Sequence, residues 1–142
     1  MDTNEINAAL HNTKDFLGTY ALDRIPKVKR FPAGLVINTD SSDKPGEHWV
    51  AVYFTPDGSA EYFDSFGLPP LKRELLNLLN NRSFPFWRHN SICFQHWSSL
   101  TCGNYCILFL KHRSEGHSFC DFIRLFSNSK MLNDFLVLHY TE

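Results

Sequence analysis

The sequence lacks the features that mark several special classes of protein. No apolar run approaches membrane-spanning length, no tract is repetitive or of low complexity, and there are only 4 cysteines. An excess of charge of either sign is also absent, since 14 Lys and Arg stand against 15 Asp and Glu for a net charge of −1. We therefore expect no membrane association, and the near-neutral balance gives no general electrostatic reason to bind nucleic acid.

Signals for export and for disulfide bonding are missing as well. Residues 1–5 are polar and acidic, unlike a secretory signal peptide, so we expect a protein that is not secreted. In the cell interior cysteines stay reduced, and we expect free thiols at Cys93, Cys102, Cys106 and Cys120. Cys106 and Cys120 are expected to be small core residues, and Cys93 a packed thiol.

Aromatic residues, in contrast, are abundant. The 142 residues include 13 Phe, 5 Tyr and 3 Trp, which argues against disorder and for a well-packed core. A chain of this length can bury one sizeable core, so we expect a single domain covering 1–142.

Apolar periodicity predicts helices and strands along most of the chain. Residues at helical spacing predict an N-terminal amphipathic helix from Ile6 to Leu17, with Gly18 as its stop. Ser118 with Asp121 resembles a capping box that opens a later helix. The predicted strands are 35–39, 47–55, 60–66 and 91–94, and the later helices are 71–80, 102–112, 118–126 and 130–140.

A β-hairpin is predicted around 56–58, Pro-Asp-Gly, and its register can be counted. A three-residue loop with glycine in the left-handed position sets Thr55 opposite Ser59, and therefore Val50 opposite Asp64. Because side chains alternate between sheet faces, His48 lies on the same face as Asp64, at a diagonal position. A histidine and an aspartate are thus predicted to meet at the end of the hairpin.

The stretch from Gln95 to Gly103 carries the strongest chemical signal. Cys102 stands immediately before glycine at the head of a strongly apolar run, 105–110, which predicts a buried helix. Free N–H groups and a partial positive charge at a helix N-terminus favour thiolate over thiol. Cys102 is therefore the candidate nucleophile, and the amide of Gln95 is a candidate oxyanion donor.

The residues that activate this thiol are expected to be His48 and Asp64. Asp64 can hold one ring nitrogen of His48, fixing its tautomer and leaving the other nitrogen for Cys102. Each residue alone is weak evidence, because a single strand histidine is more often structural; the joint spacing carries the inference. Trp49 is expected to pack behind His48. His96 and Trp97 either line a cleft or pack within their loop.

Taken together, these residues resemble adenain, the adenovirus-type cysteine endopeptidase, a relative of the SUMO-deconjugating proteases. The matching segments occur in the same order, at 16–20, 31–32, 36–39, 46–49, 62–67 and 95–103. The resemblance implies an α+β, papain-like fold with a central helix packed on a small mixed or antiparallel sheet. It also implies catalytic roles for His48 (base), Asp64 (orienting acid), Cys102 (nucleophile) and Gln95 (oxyanion donor).

Partners and cofactors follow from the resemblance only in part. It implies cleavage of viral or virus-like transposon (Maverick/Polinton-type) precursor proteins, such as polyprotein or capsid substrates, near Gly-Gly or Gly-x-Gly sequences. We expect a monomer, located in the virion and the host cell interior, including the nucleus. Adenain is activated by a viral peptide and DNA, but Cys93 does not match the peptide-linked position and the charge is near neutral. We therefore expect no required cofactor.

Three alternatives stay open. The same triad could deconjugate a ubiquitin-like modifier, or the fold could serve as a non-catalytic capsid or partner-binding module. The spacing of Cys93, His96, Cys102 and Cys106 also resembles a structural zinc motif, although a loose one.

Overall fold

A mixed five-stranded sheet forms the centre of the computed structural model, which describes residues 1–142. In the sheet order β1-β2-β3-β4-β5, the outer two pairs are parallel and the inner pairs antiparallel. The strands are β1 (Phe16–Tyr20), β2 (Ala33–Asn38), β3 (Trp49–Phe54), β4 (Ala60–Phe63) and β5 (Trp87–His89). The helices are α1 (Thr3–Leu10), α2 (Arg73–Arg82), α3 (Cys102–Ser114), α4 (Phe119–Ile123) and α5 (Lys130–Tyr140). The α+β prediction with a mixed sheet is confirmed.

Each face of the sheet carries its own apolar core, because alternate strand residues point to opposite sides. Val36, Ala51 and Phe63 face α3 and its neighbours α1, α4 and α5. Leu35, Val52 and other residues on the opposite face pack against α2, whose buried leucines are Leu75, Leu78 and Leu79. Helix α3 is buried along the whole of 103–110, so the prediction of a central buried helix is confirmed.

The β3–β4 hairpin has the predicted register. Phe54 pairs with Ala60 and Ala51 with Phe63, and the Thr55 N–H donates to the Ser59 carbonyl at 2.8 Å. Gly58 closes the loop with φ +90°, a conformation that strongly favours glycine. Continuing this register sets Val50 opposite Asp64, as counted from the sequence.

The N-terminal helix is shorter than predicted. It ends at Leu10, and 16–20 forms β1 instead of a continuation of the helix. Asp15, just before the strand, adopts φ +67°, a value outside the helical region, and its carbonyl accepts the N–H of Gly34 in β2. Helical periodicity through Phe16 and Leu17 was therefore misleading, because parallel pairing with β2 determines their conformation.

The strand predicted at 91–94 does not form. The chain pairs earlier, where Trp87–His89 lies parallel to β4 as β5. The capping at Ser118 is confirmed, since its hydroxyl accepts the Asp121 N–H, but α4 ends at Ile123 and not at 126.

Helix α5 has the predicted bounds but an unexpected orientation. Its buried residues are Asn133, Asp134 and Val137. The helix was predicted from Met131, Phe135, Leu136 and Leu138. Leu136 is partly buried against the core, whereas the other three are exposed. Cys106 is buried as predicted, whereas Cys120 is exposed and is not a core residue. No helix in the structure combines the length and the apolar character needed to span a membrane.

Candidate active site

The fold brings the sequence-predicted residues to one cleft of about 680 Å³. His48 immediately precedes β3, Asp64 follows β4, and Cys102 is the first residue of α3. His48, Gln95 and Cys102 line the cleft, together with Phe66 and the exposed side chain of Trp97. Asp64 lies behind His48 and is buried. All four predicted site residues are therefore brought together.

His48 and Asp64 form a partly buried hydrogen bond. The Nε2 of His48 lies 2.8 Å from Oδ1 of Asp64, and the Phe66 N–H donates to the same oxygen at 2.8 Å. The ring of Phe66 packs on the imidazole, with centroids 4.9 Å apart. Because Asp64 engages Nε2, the other ring nitrogen, Nδ1, is left for the thiol of Cys102.

Asn90 holds the backbone of Asp64 in position through its side chain. Its side chain is buried and bonds both backbone groups of Asp64: Oδ1 accepts the N–H at 3.0 Å and Nδ2 donates to the carbonyl at 2.6 Å. The short carboxylate arm thus reaches His48 because the backbone of Asp64 is held in place.

His48 and Cys102 shift each other's pKa in the directions that favour an imidazolium and a thiolate. Burial disfavours the charged ring, but hydrogen bonds to Asp64 and Cys102 outweigh it and raise the pKa of His48 to about 9. Burial likewise disfavours the thiolate, yet the hydrogen bond to His48 and the N–H groups of Trp49 and Gly103 lower the pKa of Cys102. The lowered pKa increases the fraction of Cys102 that is present as the reactive thiolate.

The amide of Gln95 is fixed at both ends. Ser65 donates its hydroxyl to Oε1 at 2.5 Å, and Nε2 donates one hydrogen to the carbonyl of Ser99 at 2.9 Å. A primary amide carries two N–H donors, so one remains for another acceptor. The side chain is almost completely buried and lies at the cleft.

Comparison with known proteins places this geometry in context. The cysteine protease S273R of African swine fever virus (isolate Tick/Malawi/Lil 20-1/1983) is 32% identical over 103 residues, which cover 63% of this chain and 37% of the viral protein. The crystal structure of the same virus's pS273R protease matches with a TM-score of 0.56 at 25% identity, covering 74% of this chain and 42% of that one. The chain therefore spans about two-fifths of the length of these relatives.

A third match covers the whole chain. The SUMO protease Ulp1, 15% identical, gives a TM-score of 0.54 over 99% of this chain and 78% of its own, a likeness of fold. These likenesses show a cysteine-protease fold of the S273R and Ulp1 type. No protein-family model matches it.

The three remaining cysteines lie in environments different from that of Cys102. Burial raises the pKa of Cys106 well above its usual range, which keeps it a thiol. Cys93 donates its S–H to the carbonyl of Gln95 at 3.3 Å. The structure contains no group of three or more His, Cys, Asp or Glu side chains that could hold a metal ion, so Cys93, His96, Cys102 and Cys106 do not form a zinc site in it. His96 bonds Ser98 within its own loop.

Several residues that support the site were missed from the sequence. Ser65 and Phe66 lie within the matched segment 62–67, so their position next to Asp64 was a usable signal. Asn90 could not be recognised without β5, because the strand is what carries it to Asp64. The aromatic ring that packs on His48 is that of Phe66, whereas Trp49 Nε1 donates to the carbonyl of Met1 at 3.0 Å.

Proposed function

We propose that this protein is a cysteine endopeptidase of the adenain type, which matures precursor proteins of a virus or a virus-like transposon. The single observation that carries the proposal is the placement of His48 and Cys102 in one open cleft, with Nε2 of His48 held 2.8 Å from Oδ1 of Asp64. The raised pKa of His48 and the lowered pKa of Cys102 favour an imidazolium–thiolate pair, which supplies the nucleophile without a separate deprotonation step.

Acylation begins when the sulfur anion of Cys102 attacks the carbonyl carbon of the scissile peptide bond. The carbonyl oxygen becomes an oxyanion, which the free N–H of Gln95 and the backbone N–H of Cys102 stabilise. The imidazolium of His48 then gives its proton to the leaving amine, and the tetrahedral intermediate collapses to a thioester.

Deacylation uses the same residues in the reverse direction. Neutral His48 removes a proton from water, which attacks the thioester, and the Cys102 thiolate leaves. Asp64 keeps the imidazole in the required orientation throughout.

The proposed preference for Gly-Gly or Gly-x-Gly sequences rests on the resemblance of the catalytic segments to adenain. The viral relatives, named as cysteine proteases, support cleavage of protein substrates.

The proposal is tested by a cleavage assay on a panel of Gly-Gly-type peptides, with and without DNA and candidate viral peptides. We expect the wild-type protein to cleave and Cys102→Ala to be inactive. Iodoacetamide near neutral pH should modify Cys102 faster than the buried Cys106 or the exposed Cys120. Preferential modification of Cys93, Cys106 or Cys120 would contradict the assignment.

Deconjugation of a ubiquitin-like modifier is the second candidate. The observation that favours it is the likeness of fold to the SUMO protease Ulp1 over 99% of the chain. Assays with folded modifier conjugates and with unfolded precursor peptides discriminate the two. A rate at least about tenfold higher on conjugates would favour deconjugation.

A further inference from the structure

Helix α5 turns a polar face toward the protein interior. This face contacts both ends of the loop between Gln95 and Cys102. Asn133 and Asp134 are buried, while apolar residues of the same helix are exposed. Burying a carboxylate is costly unless hydrogen bonds or a cation stabilise it. Asp134 makes no ion pair, so its hydrogen bonds must compensate for its burial.

The hydrogen-bond partners of the Asp134 side chain all lie between His96 and Tyr105, around the nucleophile Cys102. Its Oδ1 accepts the hydroxyl of Thr101 at 3.1 Å and that of Tyr105 at 2.8 Å, and its Oδ2 accepts the N–H of His96 at 3.4 Å. His96 directly follows Gln95, and Thr101 directly precedes Cys102. One carboxylate therefore links the residues next to the oxyanion donor and the nucleophile.

The neighbouring Asn133 strengthens the link at the first end. Its Nδ2 donates to the carbonyl of Phe94 at 3.2 Å. Phe94 precedes Gln95, so the backbone of the oxyanion donor is held on both sides.

The hydrogen bond between Thr101 and Asp134 affects which N–H groups are free at the N-terminus of α3. Thr101 is the N-cap of α3, where a threonine hydroxyl ordinarily accepts an N–H from the first helical turn. Here it makes no capping bond and donates to Asp134 instead. The first-turn N–H groups consequently stay free for the anionic sulfur and the developing oxyanion.

We propose that Asp134 is a positioning residue, which holds Thr101 away from the start of α3 and fixes the spacing between Gln95 and Cys102. This inference rests on the proposed function and deepens it, because it names what keeps the oxyanion site assembled. Asp134 contacts neither substrate nor reacting atoms and acts through Thr101 and His96.

Two reactions of Cys102 can distinguish a positioning role of Asp134 from a role in general structural stability. Peptide hydrolysis needs the oxyanion donors, whereas alkylation by iodoacetamide is a displacement at carbon that needs only the thiolate. That thiolate is stabilised by His48, Trp49 and Gly103, none of which bonds Asp134. Loss of the link should therefore lower hydrolysis and spare alkylation.

The experiment compares Asp134→Asn, Thr101→Val and Thr101→Ser with wild type. In the first two we expect kcat on a Gly-Gly peptide to fall on the order of 10- to 100-fold, with KM little changed, because a misplacement of about 1 Å can cost about 100-fold. Alkylation of Cys102, followed by mass spectrometry of its peptide, should keep its rate and pH dependence. Thr101→Ser keeps the donor and should recover most of the rate that Thr101→Val loses.

Asp121→Asn on α4 is the matched control, since its carboxylate is exposed and bonds only Arg124. Hydrogen exchange of the loop amides 95–101 should rise in Asp134→Asn and not in the control. An active wild type with unaltered kcat in Asp134→Asn and Thr101→Val would overturn the positioning role alone, and so would parallel loss of hydrolysis and alkylation. A folded wild type whose Cys102 neither cleaves nor alkylates would instead refute the proposed function, and the catalytic role of Asp134 with it.

Discussion

Replacing Asp64 by asparagine should narrow the pH range of activity from both sides. The contacts of His48 raise its pKa from 6.5 to about 9, which corresponds to about 3 kcal/mol of preference for the imidazolium. Asp64 and Cys102 share this effect. Asparagine keeps the shape of the side chain but removes its charge, so the pKa of His48 should fall by about 1 unit or more.

The direction in which each limb of the pH–activity profile moves follows from the protonation states that hydrolysis requires of His48 and Cys102. Hydrolysis needs protonated His48, which is lost as pH rises, so a lower pKa moves the alkaline limb from near 9 toward neutrality. The thiolate of Cys102 loses part of its stabilisation by the imidazolium, so its pKa rises and the acid limb also moves upward. Both limbs belong to the coupled pair and not to either group alone.

The assay is kcat/KM from pH 5 to 10, paired with the rate of Cys102 alkylation over the same range. At pH 8.5 a fall of 1 unit in the pKa of His48 lowers the protonated fraction about threefold, before any loss of ring orientation. A profile of Asp64→Asn that superimposes on wild type after scaling would refute the electrostatic role of Asp64.

Three further substitutions test other parts of the structure. Gln95→Ala should lower kcat about 100- to 1,000-fold, as for removal of one oxyanion donor, while alkylation of Cys102 persists; equal loss of both would point to a damaged thiolate. Ser65→Ala leaves Gln95 in place but frees its Oε1, so we expect a smaller fall in kcat, measured in the same assay. Arg113→Ala should lower the free energy of unfolding by about 3 kcal/mol, because buried Glu61 then keeps only the more exposed Arg88. In urea titrations the surface variant Arg124→Ala should cost at most about 1 kcal/mol.

The hairpin shows how much of the site the sequence can predict. Pro-Asp-Gly at 56–58 defines a loop length, and the period of two in strands then determines which residues share a face. Counting from this loop placed His48 beside Asp64, and the structure joins them at 2.8 Å. Local turn chemistry was sufficient because the two strands are adjacent in sequence.

Pairing between distant segments could not be predicted in the same way. β1 and β5 lie at the two edges of the sheet and pair in parallel with strands that are far away in sequence. Phe16 and Leu17 fit a helical period equally well, and β5 has only three residues. Neither strand carries a local signal strong enough to outweigh the alternatives.

Helix α5 forms where it was predicted, but the face that it buries could not be read from the sequence. An apolar stripe ordinarily predicts the buried side of a helix, but here hydrogen bonds from Thr101, Tyr105 and His96 keep Asp134 inside. Polar networks depend on geometry in three dimensions, which periodicity does not record. The buried face of α5 could therefore be identified only from the structure.

The most direct test of the catalytic assignment is covalent trapping with a Gly-Gly peptide that ends in a vinyl electrophile of low intrinsic reactivity. Peptide mass spectrometry of the trapped protein should show one adduct, on Cys102, and His48→Ala should slow its formation severely. An adduct on Cys93, Cys106 or Cys120, or equal labelling of His48→Ala and wild type, would contradict a nucleophile activated by His48.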